Sequence, residues 1–472
     1  MTRVAEPQIS FADYELREQG VFLDPTLRTI ADFLDQQQEM LEKVRHDLER
    51  GLKNPHTGRH GLTPSQVLRS LVLMRVKNWD YRELQERIAD GYTLRSFTAF
   101  LSQSVPKHDA FNRAFNRLTP ETLQEVNALV LQAAIDLQLE DGKKLRVDTT
   151  VVQTNIHHPT DSTLLWDTVR VITRIVGQLH QQLPQGVQGF TNRTRSARRR
   201  MQAIQRMTAR QREQQQTKKY RELIGITQQV VASGRQVLQQ TRSAKGASLV
   251  ADITTKTLRQ ELEHYCQLGD QVINQASRRV LDGEQVPTEE KIYSIFEPHT
   301  DLIKRGKQQT PVEFGHKVFL GESAQGFITQ YEVLDGNPAD EDQVVRSLQE
   351  HQDIFGHPPE WYSGDRGFYS DTSVRACEQE GVPVVSIPQR GGQKTPERKA
   401  YEKSSAFKKA QRFRAGIEGR ISVLFRGRGM KRCLAQGPQR FELFVGAAVL
   451  ANNLMRLAAL LLEPSARKRN VA

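Results

Sequence analysis

One strand with no neighbour constrains this chain more than any other feature. In LRVDTTVVQT, Leu145 to Thr154, apolar and β-branched residues alternate with the period of two that marks a strand. Residues 1 to about 135 read as helical, and from Leu164 to about Val286 the chain is rich in Gln, Arg, Glu and Leu with almost no strand signal. Strand patterns return only near residue 292. A strand satisfies its backbone only by pairing, so Leu145 to Thr154 must share a sheet with segments that lie beyond the helical stretch. The expected fold is α/β, a mixed sheet interrupted by a long helical insert.

The returning segments supply the partners. KIYSIFEP, EFGHKVFLG and GFITQYEVLDGNP read as three strands, the last two joined into a hairpin at ESAQG. DEDQVVRSLQEHQDIFG is an acidic-capped helix, WYSGD a short strand, SDTSVRACEQEG a helix, VPVVSIP a compact strand, and residues 404 to 426 a last helix. An antiparallel start followed by alternating strands and helices gives a mixed sheet with helices on its faces. The expected divisions are a helical domain over 1–138, the first part of the sheet domain over 139–163, the coiled-coil-like insert over 164–288, the second part over 289–462, and a basic tail over 463–472.

In the N-terminal part, Thr63 before Pro64 marks a helix start, with Leu68, Leu71, Val72 and Met74 as its apolar stripe. Asp80 caps a second helix carrying Leu84 and Ile88, which Gly91 ends. Two short helices with a tight connection are compatible with a DNA-binding helix-turn-helix and equally with a structural hairpin.

The 67 Lys and Arg against 55 Asp and Glu leave a formal charge of +12, which favours a polyanionic partner, nucleic acid above all. Arg198, Arg199, Arg200, Arg206, Arg210, Lys218 and Lys219, in the most basic part of the insert, are placed either to contact phosphates or to solvate a helical face. Three widely spaced cysteines point to neither a disulfide framework nor a zinc ribbon, and fit a reducing cytosol. The N-terminus lacks a signal-peptide core. FELFVGAAVLANNLMRLAALLLE is broken by Asn452, Asn453 and Arg456, which reads as a buried helix rather than a membrane span. His157-His158 has no partners at zinc spacing, and no Walker loop is present.

Asp148 sits mid-strand with Arg146, Thr150 and Val152 on its face. A buried carboxylate must be paired, hydrogen-bonded or metal-bound. Asp365 ends another strand, and Glu418 lies on a helix beside the apolar stripe Phe413, Ile417, Ile421 and Leu424, one turn after Arg414. Each has a structural reading: an arginine partner for Asp148, a turn cap at Arg366-Gly367 for Asp365, and an i, i+4 pair with Arg414 for Glu418. Taken together, three carboxylates on strand, strand end and helix fit a site for hard divalent cations, and thus phosphoryl transfer at phosphodiester bonds.

LRVDTTVVQTNIHHPTDSTLLWD, WYSGDRGFYS and RFRAGIEGRISVLFRGRGMKRC resemble the three acidic blocks of bacterial insertion-sequence DDE transposases, whose catalytic domain has a ribonuclease-H-like fold. HGLTPSQVLRSLVLMRVKNWDYRELQERIADG resembles the helical N-terminal domain of one large group of them, and the position of the insert resembles the ISNCY subgroup. The resemblance runs from about residue 20 to 460. It implies a ribonuclease-H-like core with an all-α N-terminal DNA-binding domain, and Asp148, Asp365 and Glu418 as catalytic residues and ligands of two Mg²⁺ or Mn²⁺ ions. It further implies double-stranded DNA as partner, both transposon ends and target, a homodimer on DNA, no membrane, and a cytoplasmic, nucleoid-associated location. Arg414 falls on the family's arginine four residues before the glutamate. The family's tyrosine is Gln411 here and its lysine is Phe425, followed by Arg426. Arg366, Arg414, Arg420, Arg426, Arg428, Lys431 and Arg432, with Arg198, Arg199 and Arg200, are the candidate DNA contacts. The rivals are a metal-dependent nuclease of the same fold and a non-catalytic DNA-binding remnant.

Overall fold

The computed structural model describes residues 2–3, 23–54, 57, 59–244, 248–304 and 312–463. The basic tail past residue 463 and nearly all of the first 22 residues lie outside them. The chain forms two compact units, Met1–Gln153 with His316–Ala472, and Thr154–Gly315.

The first unit opens with helices α1 (Pro25–Gln36), α2 (Gln38–Glu49), α3 (Pro64–Lys77), α4 (Tyr81–Asp90), α5 (Tyr92–Phe97), α6 (His108–Phe115) and α7 (Pro120–Asp136). It is not purely helical: two-residue strands β1 (Thr2–Arg3) and β2 (Arg59–His60) pair in parallel. Thr63 caps α3 in a reciprocal box with Gln66, and the stripe Leu68, Leu71, Val72 and Met74 is buried. Asp80 accepts from the Arg82 and Glu83 amides at the start of α4.

β3 (Lys144–Gln153) is the strand of the opening argument. It lies parallel to β7 (Trp361–Ser363), which lies parallel to β8 (Val384–Ser386). On its other side runs β5 (Val312–Ser323), joined antiparallel to β6 (Ile328–Val333) with a register shift at Gly321 and Glu322. The first residues of β5 pair within the second unit with β4 (Asp301–Lys304). Leu145 and Val147 pack with Phe319, Tyr362 and Phe368 on one face, while Val152 packs with Val318, Leu320 and Phe441 on the other. The alternation expected from the sequence thus gives each face its own core.

Helices α12 (Gln343–Phe355), α13 (Asp371–Gln379), α14 (Pro396–Lys403) and α15 (Ser405–Ser422) follow, and α15 runs into a π turn at Val423–Gly427. The long apolar helix α16 (Pro438–Leu462) meets the length and hydropathy of a membrane span, but 72% of its apolar window is buried inside the fold. Its Asn453 side chain bonds the Ile328 backbone on both sides and Asn127, which explains how polar residues are tolerated there.

The second unit holds α8 (Asp161–Gln182), α9 (Thr194–Gln205), α10 (Ala209–Thr241) and α11 (Leu249–Ala276) around a seam of Ile172, Leu223, Val230 and Leu262. Gly234 and Gly269 let these helices approach closely: a Cβ at Gly269 would stand 2.9 Å from Thr168 and Val231. One expected strand is absent. KIYSIFEP is irregular, because its backbone bonds side chains instead of a neighbouring strand. The Ile292 amide donates to Gln275, and the Ser294 hydroxyl accepts from the Phe296 and Glu297 amides.

Candidate active site

Register sets the site. The last β3 residue paired with β7 is Arg146, opposite Ser363. Asp148, in the middle of β3, and Asp365, just past the end of β7, each lie two residues beyond that pair, on the carboxyl side of the paired stretch of two adjacent parallel strands. Glu418 comes from α15.

One guanidinium joins the three. Arg414 Nη2 lies 2.9 Å from Asp148 Oδ2 and 3.7 Å from Asp365 Oδ2, and its Nη1 lies 3.4 Å from Glu418 Oε1. Each structural role weighed from sequence is also present. Asp148 has its arginine, Glu418 its i, i+4 pair, and Asp365 Oδ1 accepts from the Gly367 amide at 2.7 Å. The roles are not exclusive, because all three side chains still meet at one positive charge. Burial, opposed by Arg414 and assisted by Asp365 and Asp340, pushes the Asp148 carboxyl up to about 6. The Glu418 side chain is 71% exposed and Asp365 40%.

Asp340 escaped the sequence reading. It sits in an acidic run that looks like helix capping, yet its Oδ1 accepts from Thr149 Oγ1 at 2.8 Å and from Lys317 Nζ at 2.7 Å. It thereby clamps the residue next to Asp148. A Cβ at Gly367 would stand 2.6 Å from Asp340 Oδ2, so that loop passes close only because Gly367 lacks a side chain. No local signal marks Asp340, since its partners come from strands distant in sequence.

The helix carrying Arg414 and Glu418 is fixed at several points. Gln411, at the family's tyrosine position, donates Nε2 to the Ser386 carbonyl at 2.6 Å, to Ser386 Oγ at 3.0 Å and to the Gly364 carbonyl at 3.3 Å, tying α15 to the ends of β7 and β8. Arg146 donates to the Phe413 carbonyl at 2.7 Å and stacks on the Phe413 ring. Glu322, fully buried, receives Arg146 at 2.7 Å and Arg420 at 2.8 Å, and Arg420 also reaches Asn452 at 3.1 Å. Arg420, a candidate DNA contact from sequence, is therefore held inside the fold. Phe425 is half-buried against the core around Leu424.

The remaining basic candidates divide by exposure. Arg366, Arg426, Lys431 and Arg432 are exposed in the first unit, whereas Arg428 donates to the Val76 carbonyl at 3.2 Å. In the second unit Arg198 and Arg199 are exposed, and Arg200 pairs with Glu222 at 3.3 Å.

For a divalent ion the donor chemistry fits: three carboxylates already share one cation, and hard ions favour such oxygens. Among the described residues, however, no three His, Cys, Asp or Glu side chains stand close enough to form a finished cage, because Arg414 stands between them.

Two family models match the chain. Residues 16–117 match a transposase domain (DUF772), and residues 274–454 match a transposase DDE domain. The second takes in Asp365, Arg414 and Glu418, while Asp148 lies upstream of it, separated by the insert. No curated protein and no solved structure matches the chain. Two transposase domains in this order, with acidic blocks that meet in space, support an insertion-sequence DDE transposase.

Proposed function

We propose that this DNA transposase binds the terminal repeats of its element, cleaves DNA strands and joins the freed 3′-ends to target DNA, with Asp148, Asp365 and Glu418 as its catalytic carboxylates. The observation that carries this reading is the meeting of those three side chains at one guanidinium, on the carboxyl side of the β3–β7 pairing. A ribonuclease-H-like identity for the core is supported by strand order. With β4 left aside, the strands from β3 onward run third, second, first, fourth, fifth across β6, β5, β3, β7 and β8, with β7 and β8 parallel to β3.

Two Mg²⁺ or Mn²⁺ ions would be held by Asp148, Asp365 and Glu418; when bound, such ions activate a water or 3′-hydroxyl and stabilise the leaving oxygen. Asp340 and Thr149 hold the strand under Asp148, and Gln411 sets α15 against the strand ends, so the carboxylates start from fixed backbone positions. In the first step water attacks phosphorus and the 3′-oxygen leaves; in the second that 3′-hydroxyl attacks a target phosphodiester, and one bond forms for each broken. The exposed Arg366, Arg426, Lys431 and Arg432, together with Arg198 and Arg199, supply phosphate contacts. Holding two ends together calls for a homodimer on DNA, and a DNA substrate is in keeping with a cytoplasmic, nucleoid-associated protein.

The test uses a plasmid with this gene's own flanking DNA around a marker, in Mg²⁺. Asp148→Asn keeps the side chain's shape and should lower excision and joining by about a thousandfold or more while binding to end DNA persists. Unchanged activity in a folded variant would sink the assignment. Cleavage without any joining by the wild type would favour a nuclease.

A further inference from the structure

We propose that Arg414 is the resident counter-ion of the metal-free site and that divalent ions displace it, turning a closed knot of charges into an open metal centre. The inference rests on the function proposed above.

Three carboxylates and one guanidinium leave the knot short of positive charge. An arginine cannot lose its proton, so it can yield its place only by moving. Its hold is incomplete. Among the described residues the two Nη atoms make all the carboxylate contacts, while the buried Nε has no hydrogen-bond partner. The side chain can therefore swing away without breaking a bond at Nε.

Distance gives the second argument. Around Arg414 the oxygens lie 2.9–3.7 Å from nitrogen. Mg²⁺ requires oxygens at about 2.0–2.1 Å in near-octahedral order. The carboxylates must draw inward to take an ion, and the guanidinium stands in the space they would close upon. Arg414 is on the same helix as Glu418, one turn earlier, so a side-chain rotation suffices and α15 can keep its anchors at Gln411 and Phe413. The freed guanidinium, still beside the site, is then available to a phosphate. A permanent structural salt bridge would behave differently, because Arg414 would stay in place at every metal concentration.

The experiment measures modification of Arg414 by phenylglyoxal in the full chain, read by mass spectrometry during a Mn²⁺ titration, with Mn²⁺ binding followed by electron paramagnetic resonance. The expected result is slow modification without metal and a rise of about fivefold or more as Mn²⁺ saturates a site that Asp148→Asn abolishes. Arg414→Met, which keeps the apolar stem, should bind Mn²⁺ about tenfold more tightly, since the competing charge is gone. If Mn²⁺ fills an Asp148-dependent site while Arg414 stays protected, the counter-ion role is overturned and the function reading survives. If no Mn²⁺ binding depends on Asp148, the function reading itself fails. The wild-type measurement decides the matter alone should Arg414→Met not fold.

Discussion

An ion cluster in the sheet unit and one in the helical unit put similar side chains to opposite ends. In Thr154–Gly315 one cluster sits on a solvated helix face, Glu222 taking Arg200 and Lys219 at 3.3 Å with all three side chains about a third exposed, although Asp161 and Asp167 are buried in the same unit. In the sheet unit two clusters of the same residue types are drawn inside. Glu322 is wholly buried between Arg146 and Arg420, and Asp148 is 14% exposed beneath Arg414. A basic composition therefore does not say where charge matters. Burial does, because water no longer screens the pair and an abandoned partner has nowhere to turn.

The sharpest way to break this comparison is to remove one carboxylate from each unit. Glu322→Ala leaves Arg146 and Arg420 uncompensated and should cost about 3–5 kcal/mol in urea unfolding. Glu222→Ala should cost less than about 1 kcal/mol, as exposed pairs do. Equal losses would mean that the burial of Glu322 does not set its worth.

Glu350, on α12, sharpens the contrast inside the sheet unit. Burial, with Glu332 and Asp353 nearby and Arg346 in opposition, pushes its carboxyl up to about 7. A raised carboxylate binds its proton more readily folded than unfolded, so stability falls as pH rises from about 4.5 through 7. Glu350→Gln removes that slope and should stabilise the protein at pH 8 by up to about 3 kcal/mol. Melting curves at pH 5 and pH 8 check this, and an unchanged slope in the variant would place the proton elsewhere.

How much was readable beforehand follows the same division. The strand through Asp148, the cap at Thr63, and the order of strands and helices after residue 312, apart from the short helix α14, which falls in a stretch that reads as a basic loop, were legible, because period and capping are local signals. The three carboxylates and Arg414 were legible as a set from the resemblance, and they do lie together. What stayed hidden depends on contacts between distant segments. Ile292 to Glu297 has strand-like residues, but Gln275 and Ser294 take its backbone bonds. Asp340 looks like a helix cap until Thr149 and Lys317 are brought to it. Arg420 looks free until Glu322 and Asn452 close around it.

Glycines give the smallest effects and the clearest opposition of sign. Within a helix, Gly→Ala usually stabilises by about 0.5–1 kcal/mol, since alanine gives up less backbone freedom. Gly225 in α10 of the helical unit has nothing among the described residues within 4 Å of where a Cβ would stand, so Gly225→Ala should gain that amount. Gly416 in α15 faces the Arg146 guanidinium, which lies where its Cβ would be. Gly416→Ala must push aside an arginine already bound to Glu322 and the Phe413 carbonyl, and should lose about 1–3 kcal/mol despite the better helix propensity. Because Arg146 is one of the anchors of α15, the loss should come with weaker strand cleavage, whereas Gly225→Ala should leave cleavage unchanged. Thermal melts and the excision assay on both variants test this; a stabilised, fully active Gly416→Ala would show that α15 does not depend on Arg146 for its placement.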